Sequence, residues 1–280
     1  MKIKDTRFVP KRQLGQNFLI DPNILRKIVA ACDLRPTDTV LEIGAGLGVL
    51  TRELSKHVKK VFAIETDQKL CSSLAEQFNH SNVDIIHADF LKYSFNTLPA
   101  PLKVVGNLPY YISTPIIEKI LRHREKFITL YITIQWELGL RMTAQINHRD
   151  YSSLSCYLQY YSDPKILFKI KNTCFRPVPK VDSCFMELKI RSKPLYKVDN
   201  EELLFKLIRF AFQKRRKTIT NALDVLIERK KLKGILEVLH IDGKLRAENL
   251  SLKNYAELTE TIDKLKPEGR GRFLKEERSG

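Results

Sequence analysis

Hydrophobic positions in the first part of the chain alternate between short apolar runs and helical spacings. Residues 39–43, 61–64, 83–86 and 102–106 are apolar runs of strand length, and runs of this kind bounded by turn residues mark buried strands. Asp21-Pro22 predicts a helix start, with Asp as cap and Pro at the first helical position, carrying Ile24, Leu25, Ile28 and Val29 on one face. Leu50, Leu54 and Val58, and then residues 68–78, repeat the helical interval. Ser113-Thr114-Pro115 predicts the cap of a further helix through Leu121, and 127–136 a further strand. Strand alternating with helix is the signature of a doubly wound α/β domain on a parallel sheet. Residues 137–146 and 151–161 follow as helices. Two runs at 165–170 and 183–190 then close the sheet, and the second alternates as an antiparallel edge hairpin would.

Past Ser192-Lys193-Pro194 the strand pattern stops. Helical spacing continues through Leu203 and Leu207, Leu223 and Leu226, Ile235 and Leu239, and a last helix over 251–265. Three segments follow: an α/β domain over 1–191 that begins with a basic arm, a small all-helical domain over 195–266, and a tail over 267–280 whose polar, basic composition predicts disorder.

Charge changes the picture more than composition does. Against 32 Asp and Glu stand 49 Lys and Arg, a net charge of +17 that favours a polyanionic partner. The five cysteines are odd in number and form no C-x-x-C pair, which argues against a disulfide framework or a zinc site and for a reducing compartment. No apolar run has membrane-spanning length and the N-terminus has no secretory pattern. A monomeric cytoplasmic protein without a metal is the expectation.

Two stretches carry chemistry. Glu42-Ile43-Gly44-Ala45-Gly46-Leu47-Gly48 ends the first strand of the doubly wound pattern, where such sheets bind nucleotides. Glycines there let the backbone approach a ligand and the next helix offers free N–H groups. Val49 stands where a dinucleotide fingerprint has its third glycine, so a pyrophosphate cofactor and a dehydrogenase are disfavoured. The loop suits S-adenosylmethionine, whose amino-acid end needs no phosphate cradle. Glu65, 21 residues after Gly44 at the second strand end, can accept from ribose hydroxyls, and Asp89 at the third from an adenine amino group. The second stretch, Asn107-Leu108-Pro109-Tyr110, ends the run at 102–106. Asn107 offers an amide oxygen, Pro109 keeps Leu108 extended with its carbonyl open, and Tyr110 offers a flat face. Two acceptors beside a stacking ring match an exocyclic amino group on a planar base.

With both stretches present, the chain closely resembles the rRNA adenine N6-dimethyltransferases, the KsgA family. The resemblance runs through Gln16-Asn17-Phe18-Leu19, the glycine loop, Asn107-Leu108-Pro109-Tyr110-Tyr111-Ile112-Ser113-Thr114, Gln135-Trp136-Glu137 with Arg141, Phe175-Arg176-Pro177-Val178-Pro179-Lys180-Val181-Asp182-Ser183, and Ala211-Phe212-Gln213-Lys214-Arg215-Arg216-Lys217. It implies a Rossmann-like S-adenosylmethionine-dependent methyltransferase domain followed by a small helical domain. The cofactor would be held by Asn17, Leu19 through its backbone, Gly44, Gly46, Glu65, Asp89 and Asn107. Tyr110 and Phe175 would stack on the two faces of a flipped adenine, beside Asn107, Leu108 and Pro109. Lys11 and Arg12 of the arm, with Lys214, Arg215, Arg216 and Lys217, would take phosphates. The implied substrate is a pair of adjacent adenosines in the 3′-terminal hairpin of small-subunit rRNA. Related alternatives are one adenosine of large-subunit rRNA or a non-catalytic assembly or transcription factor. Trp136 and Tyr111 depart from the family pattern, which has Lys and Asn there.

Overall fold

A computed structural model describes residues 15–265. In chain order its elements are β1 (Phe18–Leu19), α1 (Pro22–Ala31), β2 (Thr39–Ile43), α2 (Val49–Ser55), β3 (Lys60–Glu65), α3 (Gln68–Gln77), β4 (Val83–His87), β5 (Leu102–Asn107), α4 (Ser113–Arg122) and β6 (Phe127–Gln135). They continue with α5 (Trp136–Thr143), α6 (Ser153–Tyr161), β7 (Ser162–Ile170), β8 (Phe175–Arg176), β9 (Ser183–Ile190), α7 (Glu201–Gln213), α8 (Ile219–Leu223), α9 (Arg229–Val238) and α10 (Leu252–Lys264).

Seven strands form one sheet in the order β4-β3-β2-β5-β6-β9-β7, and β1 with β8 form a separate pair. Neighbours from β4 to β6 run parallel, while β9 is antiparallel to β6. The chain runs outward from β2 through β3 to β4 and then returns to the other side of β2 as β5. Such a reversal opens a crevice beyond the carboxyl ends of the two central strands, the place where doubly wound sheets take ligands. Val40, Leu41 and Ile43 of β2 and Leu102, Val104 and Val105 of β5 are almost fully buried, as strands covered on both faces must be. Ile28 of α1, Leu54 of α2 and Leu74 of α3 pack into the same core as Val40, Val61 and Phe185.

Several local expectations shift. The helix α2 stops at Ser55, so Val58 lies past its end yet stays buried. Trp136 opens α5 instead of closing β6, and its N–H donates to the Asp182 carbonyl at 3.0 Å. The Ser113 hydroxyl does not cap α4. It donates to the Pro109 carbonyl at 3.0 Å and ties the helix to the turn before it. β9 lies inside the sheet and β7 takes the edge.

The described residues divide into two compact units, 15–139 with 163–192 and 140–162 with 193–265. The division differs from a boundary at 191 because residues 140–162 join the helical unit. Within that unit, Tyr157, Tyr160 and Tyr161 of α6 surround the Phe205 ring of α7 at 5.1–5.7 Å, and the Tyr161 hydroxyl donates to Glu201 at 2.5 Å. Phe212 packs on Tyr151 and on Tyr255, whose buried hydroxyl donates to the Ala247 carbonyl. No helix among the described residues is long and apolar enough to cross a membrane. All five cysteines are free.

Candidate active site

A cavity of about 330 Å³ opens beyond the carboxyl ends of β2, β3, β4 and β5. Each strand delivers part of its wall by ending there. Gly44 and Gly46 follow β2, Glu65 ends β3, Asp89 follows β4, and Asn107 ends β5 and leads into Leu108, Pro109 and Tyr110. Asn17 closes the wall from the segment before α1.

The glycine loop is built around Glu65. The Gly46 N–H donates to one carboxylate oxygen at 2.8 Å, and the Thr66 and Asp67 N–H groups donate to the other, each at 2.9 Å. Three main-chain donors hold the carboxylate before any ligand arrives. Gly46 reaches it with a positive φ of 56°, where a side chain would be strained and would press on the Phe18 ring. Gly44, at φ 74°, faces the cavity with only the Asn107 carbonyl near the place a Cβ would take, at 3.9 Å. Asp89 is held more loosely, accepting from the Leu91 N–H at 2.9 Å.

The Asn107 amide has a defined orientation. Its Nδ2 donates to the Asn17 carbonyl at 2.7 Å, and the reverse rotamer would set two oxygens against each other. Oδ1 therefore remains an acceptor with no partner among the described residues. The Leu108 N–H donates to the Thr133 carbonyl at 3.1 Å, while the Leu108 carbonyl has no partner among the described residues. Pro109 sits at φ −58° and ψ 126°, and the Tyr110 hydroxyl bonds Ser183 at 2.6 Å, which fixes its ring beside the two acceptors. Burial raises the Tyr110 phenol above its usual range, partly offset by Ser183.

Other expected residues lie elsewhere. Phe175 is 1% exposed and is not on the cavity wall. β8 pairs with β1 in the register Leu19 to Phe175, and the ring enters the core with Ile28, Val105 and Phe185. Leu19 likewise lines a separate cavity of about 50 Å³, together with Glu42, Gly44 and Asn107. Glu42 is 1% exposed, with one oxygen unpartnered among the described residues. Burial pushes its carboxyl up to about 8, Thr51 lowers it in part, and Glu65 adds repulsion. In the helical unit, Lys214, Arg216 and Lys217 are exposed between α7 and α8. Arg215 instead is half-buried, pairs with Glu248 at 3.2 Å and donates to the Arg149 carbonyl. Lys11 and Arg12 lie outside the described residues. The cavity wall also includes Phe90 and Tyr111, which sequence reading had not assigned to the site. Phe90 was signalled only by following Asp89, and Tyr111 only as a departure from pattern.

The wall suits S-adenosylmethionine. A cavity of this size takes a nucleoside, Gly44 leaves open the space a side chain would fill, and among the described residues no Lys, Arg or His lines it. A phosphate-bearing cofactor would lack a counter-charge there, whereas a sulfonium cation would not need one. Fold and site together define an S-adenosylmethionine-dependent methyltransferase. The family model for ribosomal RNA adenine dimethylase matches residues 7–264, and the chain belongs to that family. It is 40% identical over 273 residues to a ribosomal RNA small subunit methyltransferase A of Moorella thermoacetica, covering 93% of this chain and 95% of that one. It is 43% identical over 258 residues to one of Clostridium perfringens, covering 90% of each. Among solved structures, a dimethyladenosine transferase from Plasmodium falciparum aligns with a TM-score of 0.78 at 27% identity, over 88% of this chain and 98% of that one. The 23S rRNA methyltransferase ErmE aligns with a TM-score of 0.70 at 29% identity, over 88% and 100%.

Proposed function

We propose that this chain dimethylates N6 of two adjacent adenosines in the 3′-terminal hairpin of small-subunit rRNA. The observation that carries the reaction is the pair of open acceptors, Asn107 Oδ1 and the Leu108 carbonyl, beside the fixed ring of Tyr110. Similarity to small-subunit enzymes along nearly the whole chain supports the substrate.

S-adenosylmethionine supplies, when bound, a methyl group on a positively charged sulfur. Gly44, Gly46, Glu65 and Asp89 would hold it, Glu65 toward the ribose and Asp89 toward the adenine. Adenine N6 is a poor nucleophile because its lone pair is delocalised into the ring. Asn107 and Leu108 would counter this by accepting hydrogen bonds from the two N6–H groups, which favours a pyramidal nitrogen with its lone pair directed at the methyl. Positioning and electrostatics do the work, without a general base. Tyr110 stacks on the extruded base, at roughly 1–3 kcal/mol. Once methylated, N6 is cationic and sheds one proton to bulk water, and the remaining N–H keeps one acceptor engaged for a second round. Lys214, Arg216 and Lys217 contact phosphates.

The test is transfer of labelled methyl groups from S-adenosylmethionine to unmethylated small ribosomal subunits, with naked large-subunit RNA in parallel. Label in N6,N6-dimethyladenosine of the small subunit, abolished by Asn107→Ala, supports the proposal. Label confined to large-subunit RNA would reassign the substrate, and tight subunit binding without label would make the chain an assembly factor.

A further inference from the structure

Lys119, midway along α4, is not on the cavity wall. Its ammonium donates to three main-chain carbonyls of one short segment, those of Phe90 at 2.9 Å, Leu91 at 2.9 Å and Tyr93 at 2.5 Å. An ammonium has three donors, and here all three are spent on that segment. Its charge also lies over the Phe95 ring at 4.9 Å and the Phe90 ring at 5.7 Å. Phe95 is buried, with His123 and Phe127 edge-on to it at 5.2 Å each, so the ammonium sits in a rigid cage.

The segment it holds begins at Asp89. The Asp89 carboxylate accepts from the Leu91 N–H, and its carbonyl accepts from the Lys92 and Tyr93 N–H groups at 3.0 Å each. Residues 89–93 are therefore one turn, bonded internally through the N–H groups of Leu91, Lys92 and Tyr93 and externally to Lys119 through the carbonyls of Phe90, Leu91 and Tyr93. Asp89, Phe90 and Leu91 from this turn line the cavity. Burial lowers the Lys119 pKa and the charge of Asp89 raises it, so the two groups are electrostatically linked.

We propose that Lys119 is a positioning residue for the adenosine end of the cofactor site, holding the 89–93 turn in the shape that sets Asp89 and Phe90 on the cavity wall. The proposal rests on the reading of Asp89 as the acceptor for the cofactor's adenine amino group. An ammonium that only stabilised the fold would leave cofactor affinity unchanged once the protein is folded. A positioning ammonium changes the adenosine site and little else.

The experiment uses the full chain as wild type, Lys119→Met, Lys119→Arg, Asp89→Ala and the double variant Asp89→Ala/Lys119→Met. Dissociation constants for S-adenosylmethionine and S-adenosylhomocysteine are read by calorimetry, and steady-state constants on small subunits alongside. Lys119→Met is expected to weaken both ligands roughly tenfold, the range of coupling between residues in contact. The KM for cofactor should rise equally, while kcat at saturating cofactor and the KM for RNA stay within about twofold. Lys119→Arg, which still donates to carbonyls, should fall between wild type and Lys119→Met, and it carries the test if the Met variant does not fold. The double variant should bind no more weakly than Asp89→Ala alone. Unchanged ligand affinity in both Lys119 variants, with only a lowered Tm, would overturn the proposal, as would losses that simply add. If Asp89→Ala itself binds like wild type, the reading of Asp89 falls and the proposal with it. If Asp89→Ala weakens binding and the Lys119 variants do not, only the role of Lys119 falls.

Discussion

Asn107→Asp separates positioning from general-base catalysis with a change of one atom and one charge. In the wild type, Nδ2 of Asn107 donates to the Asn17 carbonyl at 2.7 Å, and Asn107 lines the cavity with Oδ1 unpartnered among the described residues. Replacing the amide by a carboxylate puts an oxygen where the nitrogen was, against a carbonyl oxygen. A hydrogen bond worth about 1 kcal/mol is lost, and an unpaired half-buried acceptor costs about 1–3 kcal/mol more. The carboxylate escapes by rotating away, which withdraws the acceptor from N6, or by taking up a proton. The sum of about 2–4 kcal/mol corresponds to a roughly 30- to 1,000-fold loss of kcat at pH 8.

Protonation restores the arrangement, because a carboxylic acid donates to the Asn17 carbonyl through one oxygen and accepts with the other. Repulsion from that carbonyl raises the pKa of the introduced acid, so the variant regains activity as pH falls toward 6. A general base would give the opposite profile, since a carboxylate is the stronger base and its activity would grow with pH. The assay is single-turnover methyl transfer to small subunits at saturating cofactor between pH 6 and 9, with wild type as reference. A variant as active as wild type at pH 8, or one whose rate rises with pH, would refute the positioning mechanism.

Three further outcomes follow from the geometry. Tyr110→Ala should weaken productive base binding by about 1–3 kcal/mol with little change in Tm, whereas Phe175→Leu should lower Tm and leave methyl transfer nearly intact, measured by calorimetry and transfer on the same preparations. Glu42, raised from 4.5 to about 8, binds a proton in the folded chain that the unfolded chain has released. Its contribution to stability is full below about pH 4.5 and is lost as pH rises through about 8, so denaturant titrations should show Glu42→Gln flattening the decline across that window. Arg216→Ala and Lys217→Ala should each reduce the slope of log affinity for rRNA against log salt by about one, while Arg215→Ala, losing Glu248, should also lower Tm.

Much of this molecule could be read from its residues, and the misreadings have physical causes. The strands of the crevice were legible as apolar runs, with β2 and β5 buried on both faces, and a Gly, acid or Asn stands at or just past each strand end, so that topology then gathers those residues at one place. β1 and β8 were not, since a pair of two-residue strands carries no periodicity. That omission misplaced Phe175. In isolation its loop, rich in Pro and basic residues, looks exposed, but pairing with Leu19 draws the ring into the core. The assignment of 140–162 to the helical unit was equally hidden, because Tyr160 and Tyr161 meet Glu201 some 40 residues later. Among the four basic residues at 214–217, only the fold distinguishes the three exposed ones from Arg215, which is held by Glu248.

The distribution of charge bears on which groups the crevice can take. The chain carries +17, yet among the described residues the cavity wall holds Glu65 and Asp89 and no basic side chain. At an effective dielectric constant of about 20, a carboxylate and a phosphate roughly 10 Å apart repel by about 1.7 kcal/mol before salt screening. A phosphate group placed at the crevice meets that repulsion, whereas a neutral base does not. The same carboxylates favour a cationic sulfur over a pyrophosphate. Glu65 already accepts from three main-chain N–H groups, so its oxygens have donors without a basic side chain on the wall.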